Sequence, residues 1–237
     1  MLSTRVKSDL LDAYRYTVEL HAHTSPVSRC ADFSPEETIA RYRALGVDAV
    51  VITNHAQPQH KDMSQEEWVS FYCNDYVRAK LAGEQLGVHV LLGLEMRFPD
   101  SNNDYLVYGA DEAFVRKAWE YLDKDLHTFY TQCTQDDRVI VQAHPFRKGM
   151  VLADPADLDG IEVYNMHPGH NSGIALAARH QARVGGIVTG GTDFHHEGHQ
   201  GGILACFKER PDDSYALARM LRSGDYILQM GNTVILP

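Results

Sequence analysis

The stretch Val18-Glu19-Leu20-His21-Ala22-His23-Thr24 constrains this chain more than any other. An alternating apolar run ends there in two histidines one residue apart. In an extended backbone, residues i and i+2 face the same side, so His21 and His23 aim both imidazoles at one point beyond a strand end. A lone His-x-His is a weak signal, because two polar loop residues read the same way. Here the pattern recurs. Residues 50–54 run into His55, 90–94 into Glu95, 139–143 into His144, and 187–192 into Asp193 and His195, a second i, i+2 pair. Five apolar segments thus each deliver a metal-ligand residue type at their C-terminal end.

Apolar alternation predicts strands over 16–20, 47–53, 88–98, 105–108, 139–143, 161–165, 186–192, 201–207 and 226–230. Helix signals fall between them. Ser34 is an N-cap with Pro35 behind it, and Gly46 stops that helix. Ser64 and Glu67 form a capping box for a long helix ending at Gly87. Further helices are expected over 111–122, 126–135, 171–184 and 213–222. Strands alternating with helices predict a mostly parallel sheet in an α/β fold. An open doubly wound sheet gathers its site at one crevice, so five contributing strands favour a closed barrel, where active sites occupy the C-terminal mouth. No linker, repeat or low-complexity tract divides the chain, and residues 1–237 read as a single domain.

Composition narrows the partners. Hydrophobic residues make up 44% of the 237, enough for a substantial core. The formal charge is −10, from 22 basic and 32 acidic side chains without a Lys/Arg run, which argues against a nucleic-acid footprint. No apolar run approaches the ~20 residues that cross a bilayer. The first nine residues lack the apolar core of a secretory signal, so the cytoplasm is the expected location. Cys30, Cys73, Cys133 and Cys206 form no paired motif and are expected as reduced thiols.

The ligand-bearing segments resemble the PHP (polymerase and histidinol phosphatase) family of metal-dependent phosphoesterases. The matching motifs are His21-Ala22-His23, Asn54-His55, Glu95, Ala143-His144-Pro145 and Thr192-Asp193-Phe194-His195, spanning residues 16–207. The resemblance implies a distorted (β/α)7 TIM-like barrel with two or three divalent metals at its mouth. His21, His23, His55, Glu95, His144, Asp193 and His195 are the implied ligands, with Asp104 in a further ligand position before Tyr105. Where such proteins carry another ligand ahead of the Pro-Glu-Glu helix start, this chain offers Cys30 or Asp32.

Mixed His and carboxylate ligands suit Zn, Mn or Fe better than Mg or Ca. Glu95 is expected to bridge two ions and to position the water nucleophile. His195 or His170 would protonate the leaving oxygen, and Arg147 and His170 would hold the substrate, Arg147 by its planar fork. The expected activity is hydrolysis of a phosphomonoester of a small metabolite. A phosphodiesterase or exonuclease is the alternative, and a non-catalytic metal-stabilised module a third reading. The sequence leaves the oligomeric state open.

Overall fold

A computed structural model describes residues 3–237. Helix α1 (Thr4–Ala13) leads into strand β1 (Tyr16–Ala22), which runs two residues further than the alternation predicted, through His21 and Ala22. Helix α2 (Pro35–Ala44) opens with a capping box: the Ser34 hydroxyl accepts from the Glu37 backbone N–H, and the Glu37 carboxylate accepts from that of Ser34. Strand β2 (Ala49–Ile52) continues through Thr53 and Asn54 into the short β3 (His55–Ala56). Helix α3 (Gln65–Leu86) carries the expected Ser64–Glu67 box and ends at Gly87 with φ 75°.

Strands β4 (His89–Leu92) and β5 (Leu94–Arg97) occupy the stretch read as one strand over 88–98. The break is Gly93, where a Cβ would lie 2.9 Å from both Thr53 Cγ2 and Val51 Cγ1. After β6 (Asp104–Tyr108) come α4 (Glu112–Trp119), α5 (Leu126–Cys133), β7 (Val139–Gln142), β8 (Gly160–Asn165), α6 (Ile174–Val184) and β9 (Ile187–Gly191). The chain finishes with β10 (Leu204–Phe207), α7 (Ser214–Ser223), β11 (Ile227–Met230) and β12 (Thr233–Ile235).

The strands form two six-stranded sheets, ordered β12-β11-β10-β1-β2-β4 and β3-β5-β6-β7-β8-β9. Two strands run almost directly on into the other sheet, β2 into β3 and β4 into β5. At the opposite margin Ala22 and Phe194 make a parallel bridge, with His23 N–H donating to Phe194 O and Phe194 N–H to His21 O. Both sheets mix parallel and antiparallel pairs rather than being mostly parallel: β6 runs antiparallel to β5 and β7 in one, and β10 to β1 and β11, and β11 to β12, in the other. The turn before β6 is too short to hold the crossover helix that a parallel pair needs.

One apolar cluster takes residues from both sheets, including Leu20, Val51, Leu91, Leu106, Val141 and Ala205. Separate clusters pack helices outside the sheets: α3, α4 and α5 over β5 and β6, α2 and α3 over β2 and β4, and α6 over β8. Among the described residues no helix is long and apolar enough to cross a membrane.

Candidate metal centre

The strand ends named from the sequence meet at one place. His21 and His23 come from the tip of β1, His55 from β3, Glu95 from β5, His144 from just beyond β7, and Asp193 and His195 from just beyond β9. His21 Nε2 lies 3.1 Å from His23 Nε2, 3.2 Å from Glu95 Oε1 and 3.4 Å from Asp193 Oδ1. Glu95 Oε2 is 3.3 Å from His23 Nε2 and 2.8 Å from His55 Nδ1, while Oε1 is 3.2 Å from His144 Nε2. The His195 ring stacks on His23 with centroids 4.2 Å apart. One ligand atom each from His21, His23 and Glu95 falls within 4.8 Å of the others, as for His23, His55 and His195.

The backbone is bent to achieve this. His144 (φ 31°) and Asp193 (φ 52°) are the two non-glycine residues with positive φ among the described residues. Such conformations cost energy and persist where surrounding structure imposes them.

A second tier of residues orients these side chains, and sequence reasoning named only Asn54 and Thr192 among them, as motif neighbours. The buried Glu162 accepts from His21 Nδ1 (2.9 Å), from the His144 backbone N–H (3.0 Å) and from Asn165 Nδ2 (2.9 Å). His23 Nδ1 meets Ser28 Oγ at 2.9 Å, and Ser28 donates in turn to Asn54 Oδ1. Glu19, also buried, accepts from the His21 and Thr192 backbones and from the Thr192 and Tyr42 hydroxyls. Burial pushes Glu19 up to about 7 against those donors. The signal for Glu19 and Glu162 was present in the sequence, since each is an acid inside an apolar strand and such a charge needs partners.

The donor set fits divalent cations. Glu95 Oε2, His55 Nδ1 and His144 Nδ1 are buried without a hydrogen-bond partner. The first two approach to 2.8 Å yet do not align as donor and acceptor, the disposition of two ligands facing a shared ion rather than each other. Burial disfavours charge on His21, but Glu162, Asp193 and Glu95 around it raise its pKa well above the usual histidine value. Burial likewise opposes charge on Glu95 and Asp193, yet His21 and the other histidines hold both well below the carboxylate range. The cluster therefore stabilises positive charge at its centre.

The remaining candidates are distributed around the mouth. Asp104 gives both oxygens to Arg97 (2.8 and 2.7 Å) and stands 3.9 Å from His144 Nε2, within reach of His55 and Glu95. Cys30 is exposed, its Sγ 3.3 Å from His55 Nε2. Asp32 turns away to pair with His196 at 2.8 Å. Arg147 donates to Asn165 Oδ1 (3.0 Å) and to Asp193, and its Nε is buried without a partner. His170 is exposed at the rim, while the half-buried His167 lies closer in, grouped with Asp193 and His195. Burial pushes His167 down to about 4 and His195 to about 2. Cys30, Asp104, Arg147, His167 and His170, but not Asp32, line an open cleft of about 740 Å³, whose Lys and Arg residues are Arg97, Arg147 and Lys148.

No protein-family profile matches the sequence, and no curated protein matches it. Solved structures do. A two-domain protein from Bacteroides vulgatus containing a predicted PHP-like metal-dependent phosphoesterase is 16% identical, with a TM-score of 0.65 over 91% of this chain and 64% of that one. A Bifidobacterium adolescentis protein, provisionally described as a metal-dependent phosphoesterase, is 19% identical, with a TM-score of 0.52 over 86% and 94%. An amidohydrolase from Chromobacterium violaceum, solved with sulfate and no metal, is 16% identical, with a TM-score of 0.53 over 79% and 90%. Identities this low speak for architecture, and they agree with the motif resemblance: the chain shares the fold of these PHP-like structures.

Proposed function

We propose that the chain is a metal-dependent hydrolase that cleaves a phosphomonoester of a small metabolite at a centre of two or three divalent transition-metal ions. The observation that carries this reading is the convergence of His21, His23, His55, Glu95, His144, Asp193 and His195, with Glu95 Oε2 and His55 Nδ1 buried side by side and unpaired. Asp104 extends the set if its pair with Arg97 opens. The two sheets are read as the wall of a distorted (β/α)7 barrel. Support comes from the shared inner core, the two strands that run on into the other sheet, and the Ala22–Phe194 bridge.

Zn, Mn or Fe bound here would acidify water and neutralise charge on the phosphoryl oxygens. Glu95 faces the histidines with both carboxylate oxygens and is placed to hold two ions together. Arg147 and Lys148 present positive charge to an anionic substrate, and Arg147 can turn its unpaired Nε to phosphate. His170, free at the rim, is placed to protonate the leaving oxygen.

A cleft of about 740 Å³ suits a small ligand. The net charge of −10 and the lack of a Lys/Arg run support a metabolite over a nucleic acid. The cations lining the cleft favour phosphate over the neutral amide of an amidohydrolase substrate. Four free cysteines are consistent with the reducing cytoplasm.

The test combines elemental analysis with phosphate release from a panel of monoesters. Two or more transition-metal ions per chain are expected, and Glu95→Gln should lower turnover by orders of magnitude. At most one ion after growth in ample metal would overturn the multinuclear reading. Full metal loading without phosphate release from any monoester would overturn the phosphatase reading.

A further inference from the structure

One histidine of the cleft has its proton placed by the backbone. His167, just beyond β8, lines the cleft beside Asp193 and His195. Its Nδ1 accepts a hydrogen bond from the Gly169 backbone N–H at 3.0 Å. A backbone N–H can only donate, so Nδ1 must present its lone pair, and the neutral ring carries its hydrogen on Nε2. Protonating Nδ1 would set two N–H groups against each other.

Gly169 is what permits the contact. A Cβ at that position would lie 2.9 Å from His167 Cε1 and 3.3 Å from Nδ1. The turn is anchored as well, because the His167 N–H donates to Asn165 Oδ1, which also accepts from Arg147 and from Ser172 Oγ. His167 and the Arg147 guanidinium are thereby tied to one side-chain oxygen. With Nδ1 occupied, a metal at Nε2 would have to strip the ring of its only N–H. His167 is thus built as a hydrogen-bond donor and not as a ligand.

We propose that His167 is a substrate-binding residue whose Nε2–H, oriented by Gly169, donates to an oxygen of the bound phosphoryl group on the same wall as Arg147. The assignment rests on the phosphoester reading above. It differs from the role given to His170, since a donor locked in the neutral form holds an oxygen without giving up its proton.

Two measurements test it, with inorganic phosphate and the metal-loaded protein as the probe system. In histidine-labelled protein, two-bond proton–nitrogen correlation should show His167 with a protonated Nε2 and a bare Nδ1 between about pH 6 and 8. A protonated Nδ1 would overturn the proposal. In calorimetric titration with phosphate, His167→Leu should bind about tenfold more weakly, while His167→Gln, whose amide N–H can stand in for Nε2–H, should stay within about threefold of wild type. Both variants should keep the full metal content. Equal binding by His167→Leu and wild type, or a Gln variant as weak as the Leu variant, would overturn the His167 assignment alone. A metal-loaded wild type that binds no phosphate would overturn the phosphoester reading together with it.

Discussion

Glu162 shows how much of the centre depends on a residue that would touch no substrate. Its two oxygens hold the His21 ring, the His144 backbone and the Asn165 side chain, so one buried carboxylate sets the direction of two candidate ligands. Glu162→Gln keeps the shape but turns a donor toward His21 Nδ1–H or the His144 N–H. Metal affinity is expected to fall about 10- to 100-fold with the fold intact, measured by competition with a chelating dye. Unchanged affinity would show that β1 alone positions His21. The seven strand-end residues were legible because alternation in an extended chain fixes which side each faces. The fate of Asp104 was not. Its partner Arg97 stands opposite it in the β5–β6 pairing, and that register depends on how the intervening turn closes. Asp32 was equally opaque, since its pairing with His196 spans 164 residues of sequence.

Among the elements, the capped helices α2 and α3 were readable from Ser34, Ser64 and Glu67, where local chemistry decides the start. The short helix α1 and the edge strand β12 were not: α1 buries none of its residues, and three-residue β12 is too short to show an alternation. β9 matters most to the site. Its Gly191 lies so close to β1 that a Cβ would come within 2.4 Å of His21 Cβ. Gly191→Ala should force the strands apart, lower stability by about 1–3 kcal/mol and reduce metal content, read from the urea midpoint and elemental analysis of the same sample. A variant of wild-type stability would show that the margin between β9 and β1 is slack. The sequence already showed the Gly190-Gly191 pair inside an apolar strand, the usual mark of close backbone approach.

At the scale of the whole molecule, the centre joins segments from residue 21 to residue 195, so its cations should act as a cross-link of the fold. An ion bound only by the folded state, at 100 times its dissociation constant, adds about 2.7 kcal/mol. For a chain of this length that corresponds to a melting shift of roughly 5–10 °C per ion. Calorimetry before and after chelation should show a drop of at least this size. An unchanged midpoint would mean that the buried carboxylates of the centre, Glu19, Glu95, Asp104, Glu162 and Asp193, are balanced by protein groups alone.

The positive φ angles of His144 and Asp193 carry an implication for descent. Glycine enters that conformation freely, whereas histidine and aspartate hold it at a cost of about 1–2 kcal/mol each. A duplicated copy of this gene, relieved of its chemical duty, would find glycine at either position advantageous for folding. Drift at residues 144 and 193 should therefore be among the earliest marks of an inactive descendant, ahead of any erosion of the apolar interior.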